Sequence, residues 1–181
     1  LKKSWLFSLL LVSLALFGCQ DKQSGTLDKT ELVKVQPEGN VSKDVLKSMP
    51  ISYEASSVEE GLDALPFDIT LPKEFPFDAK PLAISHIDDF KHDGKKLRVT
   101  FTTTAKDAEN VLLQITAHNF KVEYSGSGTE VKLSDDVKGS LDGGNLTFEK
   151  DGVYYEVSYT NENISDEQHK EQVIEIAKQM L

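Results

Sequence analysis

From residue 82 onward the chain alternates between apolar and polar positions. Leu97, Val99, Phe101 and Thr103 fall on one side of residues 96–104, and Arg98, Thr100 and Thr102 fall on the other. That period of two predicts a half-buried strand. Residues 82–88 alternate as well, in either of two phases: Leu82, Ile84 and His86, or Ala83, Ser85 and Ile87. Between the two runs, Lys91-His92-Asp93-Gly94 is turn chemistry, so the pair reads as a hairpin. Residues 111–118 are rich in apolar and β-branched side chains and predict another strand; a helix over 105–113 is the alternative. Ser125-Gly126-Ser127-Gly128 marks a loop, and short strands are expected at 130–133 and 145–149. Lys150-Asp151-Gly152 then turns the chain tightly into residues 153–159, where Val153, Tyr155, Val157 and Tyr159 share a face.

Two segments carry helix signatures instead. Ser57-Val58-Glu59-Glu60 has the form of a capping box: the Ser57 hydroxyl can accept an N-terminal N–H while Glu60 reaches back. The short helix it opens ends before Pro66. Residues 67–71 alternate again and predict a strand. Pro72, Pro76 and Pro81 follow in a stiff connection that offers Phe75 and Phe77 for packing. At the other end, Ser165-Asp166-Glu167-Gln168 is a second capping box, with acids where the helix dipole favours them. Val173, Ile174, Ala177, Met180 and Leu181 recur along one stripe of that final helix. These elements predict a single α+β domain over residues 51–181: a mostly antiparallel sheet packed by a C-terminal helix, with one short N-terminal helix.

The first fifty residues are of another kind. Lys2 and Lys3 precede thirteen almost wholly apolar residues, Trp5 to Phe17, and Gly18 then precedes the sole cysteine, Cys19. A basic start, a short apolar run and a small residue at the cut are the parts of an export signal, here residues 1–18. Thirteen helical residues span only about 20 Å, short of the ~30 Å hydrocarbon core of a bilayer. Residues 20–50 are polar, with Gly25, Pro37, Gly39 and Pro50 and no sustained apolar period. They read as a flexible tether with roughly 30 Å of root-mean-square reach, with a weak strand or helix open around 32–35 or 45–49.

Leu16-Phe17-Gly18-Cys19 resembles the bacterial lipobox, with Leu three residues before Cys and Gly directly before it; Phe17 departs from the small or β-branched residue usual there. The resemblance implies that the Cys19 sulfur takes a diacylglyceryl group and that the chain is cut before it. A lipidated Cys19 with the tether would occupy residues 19–50, and two acyl chains are about what stable anchoring needs. The implied location is the extracytoplasmic face of the cell membrane. A second resemblance covers residues 51–181. Ser57-Val58-Glu59-Glu60, Leu65-Pro66-Phe67-Asp68-Ile69-Thr70-Leu71-Pro72, Phe75-Pro76 and the ending around Asp151-Gly152-Val153-Tyr154-Tyr155 are similar to a domain family of Gram-positive bacteria. That family has no assigned function and sits on lipoproteins and anti-sigma-factor-like regulators. It implies fold and location and carries no catalytic residues across.

Charge narrows the partners. The chain is −10, and loss of Lys2 and Lys3 takes it to −12. An acidic surface of this size repels phosphate backbones and anionic headgroups, so no nucleic-acid partner is expected. Membrane association is expected from the lipid alone, since no polybasic run adjoins Cys19. The densest set of ligand-type residues is His86-Ile87-Asp88-Asp89-Phe90-Lys91-His92-Asp93. His86 and Asp88 would share a strand face, and with His92 they are candidate ligands for a divalent metal. Lys91 opposes a cation there, and a solvated hairpin turn explains the same residues. Asp135-Asp136 and Asp142-Gly143-Gly144-Asn145 lack the carboxylate spacing of a calcium loop. Nucleophile-elbow and zinc-protease motifs are absent from the sequence, and no cofactor is expected. The expected function is a binding or sensing module of the cell envelope, with another envelope protein as partner. The rivals are an envelope enzyme using the His86–Asp93 cluster, and a carrier of an apolar ligand held between the sheet and the final helix.

Overall fold

A computed structural model describes residues 25–37, 39, 42–123 and 128–181. Cys19 and residues 1–18, expected as an export signal, lie outside this set. The chain is α+β. In order it forms β1 (Val33–Lys34), α1 (Lys43–Ser48), β2 (Ile51–Glu54), α2 (Val58–Ala64), β3 (Ala83–Asp89), β4 (Leu97–Thr104) and β5 (Val111–His118). Then come β6 (Thr129–Lys132), β7 (Lys138–Asp142), β8 (Asn145–Lys150), β9 (Val153–Asn161) and α3 (Asp166–Lys178). All nine strands join one sheet in the order β1-β2-β3-β4-β5-β9-β8-β7-β6, and every neighbouring pair is antiparallel. Two meanders are therefore stitched together by β5 and β9. The strand over 111–118 forms, and the helical alternative does not.

One sheet face builds the core. Tyr53, Ile87, Val99, Ala117, Tyr155 and Phe148 are register neighbours across six strands, and all are buried. The two phases open for residues 82–88 are both used, because a bulge at Ser85 resets the alternation. Ile84 and Ile87 consequently both join the core, while His86 and Asp88 take the opposite face. α2 closes on β3 through Gly61, where a Cβ would press on Ile84 Cδ1, so even alanine requires the Ile84 side chain to shift.

α3 lies across β8 and β9. Its capping box forms: Ser165 Oγ accepts from Gln168 N, and Gln168 Oε1 accepts from Ser165 N at 3.0 Å. Val173, Ile176, Ala177 and Met180 are its buried residues, and Ile174 is only half-buried. Burial of each larger side chain contributes roughly 1.5–3 kcal/mol. At the helix end, Gln179 Oε1 accepts from Lys73 N and Glu74 N, and its Nε2 donates to Glu74 O, which fastens the proline-rich connection to α3.

Three expectations differ from the structure. Residues 67–71 form no strand: they lie over the sheet rather than at its edge, and Thr70 N donates to the Tyr155 hydroxyl. β7 was not signalled, because only Gly139 and Leu141 face inward along it. The domain also begins well before Ile51. Leu27 is buried, its N–H donates to Gly94 O at 2.8 Å, and Asp28 N donates to Ala64 O at 2.9 Å. Lys29 Nζ reaches the buried Asp89 carboxylate at 3.2 Å. β1 pairs with β2, and α1 is capped by Ser42. Within the stretch expected as tether, Leu27–Lys29 and β1 are therefore part of the fold.

Candidate functional site

The sheet face opposite the core carries side chains of another chemistry. Ser52, Asp88, Arg98, His118, Tyr154 and Glu149 stand side by side across β2, β3, β4, β5, β9 and β8. A second row holds His86, Thr100, Thr116, Glu156, Thr147 and Ser140. A third holds Thr102, Gln114, Ser158 and Asn145. The strict alternation of β4, β5 and β9 creates these rows: each residue that fills the core sends its neighbours to this side.

Asp88 is the hub. It is 2 % exposed, so its carboxylate needs partners. One oxygen accepts from Ser52 Oγ at 2.5 Å. The other accepts from Arg98 Nε at 3.0 Å and Nη2 at 2.6 Å, with His86 Nε2 at 3.4 Å. Arg98 in turn lies over the Phe90 ring, 5.3 Å from its centroid, and Phe90 meets Phe120 edge-on at 5.4 Å. His118 follows Arg98 in the row. Its ring meets Phe120 edge-on, and its Nδ1 is buried without a hydrogen-bond partner. Burial, and then the charge on Arg98, lower the His118 imidazole from its ordinary 6.5 to about 4, against a smaller opposing effect of Asp88. His118 is therefore neutral at pH 7.

The metal-site alternative is not assembled by the described residues. The structure brings His86 and Asp88 together but turns His92 away: His92 Nε2 pairs with Met49 O at 2.8 Å. The Asp88 lone pairs are spent on Arg98 and Ser52. Among the described residues, no group of three His, Cys, Asp or Glu side chains is placed to hold a metal ion. Asp89, next in sequence, faces the core side and holds Gly94 N at 2.8 Å. Of the other two histidines, His118 stands in the Asp88–Arg98 row, and His169 stacks on Tyr159 and pairs with its carbonyl at 2.5 Å.

Arg98, His118 and Ser52 were not recognised as site residues from sequence. The signal was partly there, since Arg98, Thr100 and Thr102 alternate away from the core; the register that sets Arg98 against Asp88 and His118 was not. What the rows offer is a broad hydrogen-bonding platform with its one strong ion pair internally satisfied. Such a surface can give hydrogen bonds to an extended polar partner. Comparison with protein-family models, with curated proteins and with solved structures returned no match.

Proposed function

We propose that the protein is a lipid-anchored, extracytoplasmic binding or sensing module of the cell envelope, and that its polar sheet face contacts another envelope protein. The observation that carries the binding reading is the asymmetry of the sheet. One face is closed by α2, α3 and the proline-rich connection; the other carries three rows of polar side chains, of which Asp88, Thr100, Thr116 and His118 are buried while Arg98, Thr102, Gln114, Ser158, Asn145 and Glu149 reach the surface. The anchor reading is supported by the basic start, the apolar run and the lipobox-like residues ending at Cys19. The resemblance to the Gram-positive domain family points to the same location. The closed packing of Val173, Ile176, Ala177 and Met180 favours a binding module over a carrier with a cavity under α3. The separation of His92 from His86 and Asp88 weighs against a metal-dependent enzyme at that cluster.

Co-purification from intact envelopes tests the reading. Thr102 and Gln114 are half-buried on the open face, so Thr102→Lys with Gln114→Lys changes the platform and spares the core. A protein retained by the parent and lost from this variant supports the proposal; identical retention refutes it. Cys19→Ala should leave an uncut, unlipidated precursor, and normal processing of that variant would refute the anchor.

A further inference from the structure

We infer that one end of the sheet is a bilayer-docking surface: the β3–β4 turn with residues 119–123 after β5, which together bind anionic lipid headgroups. This rests on the lipid-anchor reading above and specifies how the anchored domain is oriented. The first observation is the place of Leu27. Leu27 is pinned to Gly94, inside the turn between β3 and β4, by a 2.8 Å hydrogen bond. Gly94 has φ of 72°, and a Cβ there would meet Leu27 N at 3.1 Å, so the turn is shaped to receive this segment. Leu27 lies eight residue steps after Cys19, and fully extended these cover no more than about 26–29 Å. The entering chain therefore meets the turn through Leu27 and the end of α2 through Asp28.

The second observation is the charge of that end. The turn and the segment following β5 carry Lys91, Lys95, Lys96 and Lys121 against Asp93 and Glu123, in a chain whose net charge is −10. Asp93 is engaged in the turn, where its Oδ1 accepts from Lys95 N. The two segments are joined by Asn119, whose Nδ2 donates to Lys95 O at 2.7 Å and whose Oδ1 accepts from Leu97 N. Lys91, Lys95 and Lys121 are exposed.

The third observation is aromatic. Phe90 is exposed, and it packs on Phe120, over which Lys96 Nζ sits 4.4 Å from the ring centroid. Lysines around an aromatic pair are the composition of an interfacial surface: the rings enter the headgroup boundary while the ammonium groups meet phosphate. The acidic residues Asp28, Glu31, Glu59, Glu60 and Asp63 gather instead on the flank formed by α2 and the entering chain. Net charge hides the basic end because its lysines come from separate segments. Linear sequence near Cys19 shows no polybasic run, whereas the fold brings lysines of two segments together at the turn that Leu27 contacts. Tethering makes the contact intramolecular, so a weak surface suffices.

The test uses the processed, full-length protein reconstituted in vesicles of phosphatidylcholine alone or of phosphatidylcholine with phosphatidylglycerol. Trp5, the sole tryptophan, lies in the export signal, so Phe90→Trp gives a unique reporter after processing. In the anionic vesicles its emission should shift to the blue and be quenched by brominated acyl chains. In neutral vesicles, or at 1 M salt where the Debye length is ~3 Å, both effects should vanish. Replacing Lys91, Lys95 and Lys121 by Gln should lower the docking constant by roughly five-fold each, on the order of 100-fold together. Hydrogen exchange on the parent needs no reporter: amides of 90–96 should be protected in anionic vesicles only. Equal emission and equal exchange in both lipids would overturn the docking surface. Intact mass of the purified protein separates the two readings. A missing diacylglyceryl mass overturns the anchor, and lipid-dependent protection in that same sample would leave the surface standing.

Discussion

Acid should destabilise this protein through His118 before most carboxylates titrate. The imidazole is 7 % exposed, lies beside Arg98, and has its ionisation lowered to about 4 from 6.5. In the unfolded chain it takes a proton as the pH falls through 6.5. In the folded chain it stays neutral until about pH 4. Between those values the unfolded state binds more protons, so stability rises with pH across the window and is lost on acidification. One pKa unit corresponds to ~1.36 kcal/mol. Integrated from pH 7 to pH 5, the loss is about 2 kcal/mol, approaching about 3 kcal/mol at pH 4. At a urea m-value of ~2 kcal/mol/M, the first figure moves the midpoint by about 1 M. The assay is urea denaturation at the two pH values for the parent and for His118→Phe, which keeps a ring against Phe120 and removes the titrating nitrogens. The parent should lose about 2 kcal/mol more than the variant over that interval. Parallel pH profiles, or an NMR titration placing His118 near 6.5, would refute the burial argument.

Two further outcomes follow from packing. Ile176 is 1 % exposed under α3, so Ile176→Asp buries an unpaired carboxylate and should cost several kcal/mol in chemical denaturation; Glu175→Ala, one residue along and losing only an exposed pair with Lys178, should cost under about 0.5 kcal/mol. Leu27→Ala should cost roughly 2–3 kcal/mol and make the chain before β1 protease-sensitive, whereas a change below about 0.5 kcal/mol would show that this segment does not belong to the core.

The alternation of β4, β5 and β9 and the two capped helices were legible because each depends on neighbours a few residues away. The helix stripe was read slightly out of phase. At about 100° per residue, Ile174 and Ile176 flank Val173 and Ala177 from opposite sides, and only the orientation of α3 on β8 and β9 decides which is buried. Leu27 gave no periodic signal, since its partners Gly94 and Ala64 are far along the chain. The Ser85 bulge was invisible for the same reason: both phases of residues 82–88 looked acceptable, and the fold takes one from each. The row through Asp88, Arg98 and His118 requires the register of three strands, so its members read singly as ordinary polar positions. Asp88 and His86 were picked out for a metal, yet Asp88 already has its cation in Arg98.

The seam between β5 and β9 has a consequence for biogenesis. Its register runs from His118 against Tyr154 to Val111 against Asn161, so its residues must meet across a long intervening stretch while every other ladder from β3 to β9 closes between chain neighbours. Closing so long a loop is entropically slow. A chain emerging N-terminus first can form the β2–β5 meander early, and its last strand then waits with an unpaired edge and Val111, Leu113, Ile115 and Ala117 uncovered. Such an edge templates aggregation. The vulnerable species is thus a half-made sheet lacking its C-terminal third, and a chaperone that guards this protein would be needed in the interval before β9 arrives.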